Sequence, residues 1–170
     1  ERAHDFLWRV HRQVPVQGEI AIFNRSHYED VLVPLVDGAI DDQEVKRRYG
    51  HIRDFERMLV ETGTLVVKIF LHISSDEQRK RLQSRIDDPD KQWKFDPMDV
   101  AKRKHWSDYQ RAYEQAIGAT DADDAPWYII PADSKTHRNL MVATLLLEIM
   151  QNLKLQFPEP DRKLSKLKIE

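Results

Sequence analysis

A run of polar side chains that can bind phosphate follows the apolar segment 19–23. It holds an amide, a guanidinium, a hydroxyl, an imidazole and carboxylates, in the order Asn24, Arg25, Ser26, His27, Tyr28, Glu29 and Asp30. A planar guanidinium can hold two phosphate oxygens at once, and an amide or hydroxyl can bind a phosphate oxygen or a metal-bound water. We therefore predict that residues 19–23 form a strand that ends at a ligand site, as in open α/β sheets.

The same run has a plainer interpretation. Asn24 is a residue type that often caps a helix, and Arg25 stands four residues before Glu29, a spacing that favours an ion pair on the surface. Residue types alone leave both interpretations open.

A second group of cations lies in the segment 79–94. Arg81 and Arg85 are four residues apart and so lie on one helical face, while Asp88-Pro89 should end that helix. Beyond the stop, Lys91 and Lys94 can fold back over a ligand, with Trp93 as an anchor in the core. The alternative is a solvated helix face paired with nearby acidic residues, which we prefer for Arg79 and Lys80.

A third candidate group follows the apolar strand 127–130. Asp133 and Ser134 precede a helix that begins with Lys135 and carries Arg138 in its first turn. Lys135 and the helix amides should face the same sheet edge as Asn24. A purely structural cap by Asp133 or Ser134 is an equal alternative to ligand contact.

Several other kinds of site are excluded. With no cysteine among 170 residues there is no disulfide or thiolate chemistry, and the seven histidines show no zinc-ligand spacing. There is no G-x-S-x-G motif and no apolar run of about 18 residues. A net charge of -2 means that affinity for polyanions needs a local cluster of cations. We expect a cytoplasmic protein that binds neither nucleic acid nor membranes.

The pattern along the chain predicts alternating strands and helices. Apolar spacing and capping signals indicate helices over about 3–12, 27–38, 42–62, 75–86, 97–118 and 137–154, and strands over 19–23, 64–73 and 127–130. The strand 64–73 is expected to be buried on both faces and the last helix to be largely covered. The aromatic residues Trp93, Trp106, Tyr109 and Tyr113 are interpreted as core rather than as a platform for a base. This order predicts a parallel sheet flanked by helices.

Four blocks of the chain resemble the polyphosphate kinase 2 family. They are residues 24–31, 71–74, 85–94 and 125–135, within a likeness that extends from Ala3 to about Leu153. Members of that family transfer phosphoryl groups between inorganic polyphosphate and nucleotides with Mg²⁺, on a fold like that of thymidylate kinase. The order Asn-Arg-Ser-His-Tyr is similar to the branch that phosphorylates AMP and ADP, whereas several other branches carry Asp at the position of Asn24.

The resemblance implies a P-loop kinase-like α/β fold with a helical lid. It implies catalytic roles for Arg25, Asn24 and Arg85, and substrate contacts from Ser26, Tyr28, Glu29, Asp30, Arg81, Lys91, Lys94, Lys135 and Arg138, with no metal ligand assigned. It also implies Mg²⁺ as cofactor, polyphosphate with AMP, ADP or ATP as partners, and a homo-oligomer, either dimer or tetramer. The lid is expected at about 79–97.

None of the five glycines lies in a phosphate-binding G-x-x-x-x-G-K loop. We therefore expect residues 1–155 to be the C-terminal part of one domain that lacks its N-terminal strand and phosphate loop, followed by a tail at 156–170, and the chain alone to be inactive. The alternatives are an ATP-dependent nucleotide kinase and a catalytically incomplete binding fragment.

Overall fold

The computed structural model describes residues 3–157 and 159, and in this part of the chain helices surround a small sheet. The α-helices are α1 (Trp8–His11), α2 (Glu29–Val36), α3 (Asp42–Glu61), α4 (Ser75–Asp87), α5 (Pro97–Arg103), α6 (Trp106–Thr120) and α7 (Lys135–Asn152). A short 3₁₀ helix, Gln92–Lys94, follows α4. The strands are β1 (Lys68–His72) and β2 (Trp127–Pro131). The predicted α/β architecture is confirmed.

The two strands pair in parallel, with Lys68 opposite Trp127 and His72 opposite Pro131. The third predicted strand, 19–23, is wrong, because this segment has no regular secondary structure. Its side chains are open to solvent, with Ile20 75% and Ile22 86% exposed. A strand is held by hydrogen bonds to a neighbour, and among the described residues this segment pairs with neither β1 nor β2.

Three further expectations need correction. β1 is shorter than predicted and is not buried on both faces, since Leu71 is 45% exposed. The helix predicted from 97 to 118 is two helices, α5 and α6, separated at Lys104 and His105, and Gly118 lies inside α6 rather than at its end. Helix α7 has no buried residue, so it is not covered as its apolar composition predicted.

The core lies between α2, α3 and α6. Val31, Leu32, Val45 and Ile52 are almost completely buried there, with Ala112 and Ala116 supplying small side chains where α6 approaches. Trp93 is 78% exposed, so its predicted role as a core anchor is wrong. Trp106, Tyr109 and Tyr113 are half-buried.

The predicted side-chain caps of α4, α5 and α7 are confirmed, and α3 has a cap as well. Side chains of Asp41, Ser74, Asp96 and Ser134 each accept a hydrogen bond from a backbone N–H of the first turn of α3, α4, α5 and α7, respectively. Pro97 occupies the first turn of α5, as its missing N–H allows.

No helix in the described part of the chain is both long and apolar enough to span a membrane. Most of the tail predicted at 156–170 lies outside the described residues.

Candidate functional site

The carboxyl ends of both strands lead directly into helix N-termini. Ser74 caps α4 two residues after β1, and Ser134 caps α7 three residues after β2. The carboxylate of Asp133 accepts a 2.7 Å hydrogen bond from the backbone N–H of Ser74, which holds the pKa of Asp133 below its ordinary value. The two strand ends are thereby tied together at one edge of the sheet, where ligands bind in open α/β folds.

A cavity of about 480 Å³ opens beside this edge. Its walls are the end of β1, the helices α4, α5 and α6, and Arg25. The lining carries five cationic side chains: Arg25, Arg81, Arg85, Lys102 and Arg103. Asp99 is the one carboxylate among its described lining residues, so the cavity has a strong excess of positive charge.

Two of these cations are held by hydrogen bonds. Arg81 donates to the carbonyl oxygens of Ala132 at 2.6 Å and Asp133 at 3.1 Å, and its Nε donates to Glu77 at 2.8 Å. Arg103 donates to the carbonyl oxygen of Ser75 at 2.9 Å and to Gln78 at 2.7 Å. These two arginines shape the walls by fixing α4 to β2 and α5 to α4.

The other three cations are available to a ligand. Arg25 is 81% exposed, and its partner Glu29 lies 3.7 Å away. Arg85 lies 3.6 Å from Asp99. Lys102 is exposed and forms no ion pair with the described residues. Long, solvent-exposed pairs contribute little stability, so phosphate oxygens can displace them readily.

Arg25 also has an unusual backbone conformation. Its φ is 69°, in the left-handed region that few residues other than glycine adopt. Such conformations cluster at binding and active sites, where the surrounding structure maintains them. The surface pair with Glu29 expected from the plainer interpretation is present, but the same side chain also reaches the cavity.

The aromatic wall of the cavity supplies hydroxyl groups. Burial raises the pKa of both Tyr109 and Tyr113, and the nearby Glu29 carboxylate raises each further. Both hydroxyls therefore stay protonated at neutral pH and can donate hydrogen bonds to a bound anion.

Part of the predicted site lies elsewhere. Tyr28 is buried, and its hydroxyl donates to Glu56 at 2.8 Å, so it faces the core rather than the cavity. Asp30 pairs with Arg9 at 3.3 Å on another face, beside a second cavity of about 650 Å³. Glu29 does not line the first cavity but pairs with Arg25, which does. Asn24 lies in the exposed bend with Arg25, and Ser26 follows that bend with its side chain half-buried.

The remaining predicted cations are also outside the cavity lining. Lys91 pairs with Asp88, and Lys94 lies over the ring of Trp93, 4.7 Å from its centroid. Lys135 is exposed at the start of α7, and Arg138 donates to Asn139 at 2.7 Å. In this conformation only Arg25, Arg81 and Arg85 of the predicted residues line the cavity.

Sequence reasoning missed Asp99, Lys102 and Arg103. A signal was present, since Lys102 and Arg103 follow Asp99 by three and four residues and so share its helical face. That face turns toward the cavity only because α5 packs against the start of α4 through Arg103.

The described residues do not form a metal site by themselves. Among them there is no group of three or more His, Asp or Glu side chains arranged to hold a metal ion. Asp99 is engaged by Arg85, and Asn24 offers a single amide oxygen at an exposed bend. Protein-bound Mg²⁺ usually takes one or two carboxylates together with substrate phosphates, a ligand set that these side chains do not supply.

A parallel sheet flanked by helices, with a cavity at its carboxyl edge, defines an α/β protein, and its likeness to solved structures places it in the P-loop kinase-like class. The family model for Polyphosphate kinase 2 (PPK2) matches residues 1–158. The chain belongs to the polyphosphate kinase 2 family.

Relatives and solved structures agree with this assignment. The chain is 52% identical to the AMP/ADP-polyphosphate phosphotransferase of Meiothermus ruber over all of its length, and 44% identical to the ADP-polyphosphate phosphotransferase of Rhodopseudomonas palustris over 94% of it. It superposes on the crystal structure of Polyphosphate Kinase 2 from Arthrobacter aurescens TC1 with a TM-score of 0.91 and 47% identity, over 94% of this chain. The chain spans 64%, 59% and 56%, respectively, of these proteins.

Proposed function

We propose that this chain forms the substrate-binding part of a phosphotransferase that moves phosphoryl groups between inorganic polyphosphate and AMP or ADP. The observation that carries the proposal is the concentration of five cationic side chains around one carboxylate at the carboxyl edge of the sheet. Phosphoryl transfer requires positioned cations that neutralise the phosphate oxygens as the group moves. The names of the relatives from Meiothermus ruber and Rhodopseudomonas palustris support the same reaction.

Each cation has a distinct proposed role. Arg25 and Arg85 release their long ion pairs and bind the transferred group, as the catalytic contacts. Arg81 and Arg103 hold the helices that shape the cavity, and Lys102 binds a neighbouring phosphate. Tyr109 and Tyr113 donate hydrogen bonds from protonated hydroxyls. Because these side chains share one cavity, they can act on successive phosphates of a chain.

We further propose that the segment at about 79–97 closes over the bound substrate. Lys91 and Lys94, which lie outside the cavity in this conformation, would then approach the phosphates and exclude water. Mg²⁺, which the family resemblance implies, would be held mainly by substrate phosphates, since the described side chains offer no cluster for it. A cytoplasmic location and a homo-oligomeric assembly remain part of this proposal.

The decisive experiment supplies long-chain polyphosphate with AMP or ADP, without ATP, to the full-length protein that carries this chain. We expect new ADP or ATP. Product only when ATP is the donor would favour a nucleotide kinase, and no product with either donor would refute phosphotransfer. Assaying the 170-residue chain alone in parallel tests the expectation that it is inactive by itself.

A further inference from the structure

A buried polar network lies beneath the Arg25 turn, and its centre is Glu56 on α3. The side chain is only 4% exposed. One carboxylate oxygen accepts a hydrogen bond from the hydroxyl of Tyr28 at 2.8 Å, and the other accepts one from the ammonium group of Lys68 at 2.7 Å. A buried carboxylate is strongly unfavourable unless it is paired and hydrogen-bonded in this way.

The network extends into the sheet and into α6. Lys68 also donates to the carbonyl oxygen of Thr120 at 2.7 Å. The hydroxyl of Thr120 accepts a hydrogen bond at 3.0 Å from the indole N–H of Trp127, the first residue of β2. Replacing a buried ion pair with apolar residues often leaves stability unchanged or improved, so the presence of this pair is not by itself evidence of a stabilising role.

The positions of the partners of Glu56 indicate what the network does. Tyr28 follows Arg25 by three residues and is the N-cap residue of α2. Lys68 is the first residue of β1, and Phe70 and His72, further along β1, line the cavity. His27 approaches Glu56 at 3.7 Å, with a buried Nε2 that has no hydrogen-bond partner in the described part of the chain. Glu56 therefore connects the turn that carries Arg25 to the strand that forms the opposite wall.

We propose that Glu56 is a positioning residue that holds the Arg25 turn against β1 through its hydrogen bond to Tyr28. This inference rests on the proposed function, because it concerns where the Arg25 guanidinium lies relative to the transferred phosphate. Arg25 has a strained backbone and a weak side-chain contact, so its own interactions do not determine its position. A small misplacement of such a group lowers the rate of the chemical step more than it lowers binding.

The protein offers a matched pair of variants for the test. Tyr28→Phe removes the donor to Glu56 and keeps the ring against Trp127. Tyr49→Phe removes a hydroxyl that is also buried but has no hydrogen-bond partner among the described residues. In the full-length protein we expect Tyr28→Phe to lower kcat about tenfold with little change in the KM for ADP. Tyr49→Phe should match the wild type in both constants.

Two further measurements separate positioning from general destabilisation. Ile52→Val in the core of α3 should reduce stability without affecting kcat at temperatures where the protein stays folded. Amide hydrogen exchange of Glu29 and Asp30, whose N–H groups bond within the turn, should accelerate in Tyr28→Phe but not in Tyr49→Phe.

Wild-type kcat and unchanged exchange in Tyr28→Phe would overturn the inference, as would an equal loss of kcat in Ile52→Val. A wild-type protein without phosphotransfer would refute the proposed function instead. The exchange measurement would still decide whether Glu56 holds the turn.

Discussion

The guanidinium of Arg81 donates a 2.6 Å hydrogen bond to the carbonyl oxygen of Ala132, directly after β2. This contact fixes the middle of α4 to the edge of the sheet. Arg85 lies one turn further along the same helix and, among the described residues, pairs with Asp99 at 3.6 Å. The two arginines predicted from the sequence as one basic face therefore differ in their contacts, since Arg81 is hydrogen-bonded to the sheet edge and Arg85 forms a long ion pair.

Arg25 should be essential for the rate. Arg25→Ala in the full-length protein should lower kcat/KM. The decrease should correspond to a loss of about 2–4 kcal/mol of transition-state stabilisation, the scale of one preorganised electrostatic contact. Folding should be unaffected, because the side chain is 81% exposed. The measurement is steady-state kinetics with polyphosphate and ADP, together with thermal unfolding.

Arg57 on α3 provides the control for Arg25. It is 62% exposed and lies 3.7 Å from Glu61, with the same spacing of four residues as Arg25 and Glu29. Arg57→Ala should leave kcat/KM unchanged. Equal kinetics in the two variants would show that Arg25 forms only a surface ion pair and has no role in the reaction.

The proposed lid predicts a salt-dependent effect. Arg85→Ala and Lys94→Ala should weaken polyphosphate binding more than nucleotide binding, and the difference from wild type should grow as salt is lowered, because charge contacts are screened. Lys80→Ala on an exposed part of α4 is the control. The apparent affinity for polyphosphate is measured across salt concentrations.

The outcome for Lys94 is informative about closure. An effect of Arg85→Ala without one of Lys94→Ala would contradict a closing lid, since Lys94 lies outside the cavity in this conformation. Binding unchanged in both variants at low salt would show that the cavity is not the polyphosphate site. Because Trp93 is exposed, Trp93→Ala should leave the free energy of unfolding nearly unchanged.

Lys102 should contribute to phosphate binding although the sequence did not single it out. Lys102→Ala should raise the KM for polyphosphate several-fold, because Lys102 lines the cavity without an ion-pair partner in the described part of the chain. Lys104→Ala, two residues away and exposed outside the cavity lining, should match wild type. An equal rise in KM for both would indicate a diffuse charge effect rather than a specific contact.

Stability should fall at alkaline pH. Burial raises the pKa of Tyr49 from 10.0 to about 12 and, together with Glu56, raises that of Tyr28. Above the ordinary tyrosine pKa the unfolded chain loses protons that the folded protein keeps, so the free energy of unfolding decreases as pH rises toward the folded-state pKa values. Urea unfolding of Tyr49→Phe should show a shallower decrease than wild type from about pH 10 to about pH 12. If the free energy of unfolding fell equally with pH in both proteins, the raised pKa of Tyr49 would be contradicted.

Local features of the structure were predictable because their causes are local. Asp41, Ser74, Asp96 and Ser134 cap helices through hydrogen bonds within three residues, and the strands of the sheet are rich in residues that favour extended backbone. The family could be inferred from the same short range, since each of its four blocks is a contiguous run of residues.

Solvent exposure was less predictable, because it depends on neighbouring elements. The segment 19–23 and helix α7 have the composition of buried elements, yet the segment is exposed and α7 has no fully buried residue. An apolar pattern indicates that a surface is suited to burial, but burial also requires another helix or strand that packs against that surface.

The sequence by itself determined the capped starts of α4 and α5, the parallel order of β1 and β2 and the cationic character of residues 79–94. Only the tertiary structure decided which side chains share the cavity. It turned Tyr28 inward to Glu56, placed Lys102 at the cavity, and fixed Arg81 to Ala132 while Arg85 pairs with Asp99. The physical reason is that these choices depend on contacts between residues 28 to 51 positions apart, which no local pattern encodes.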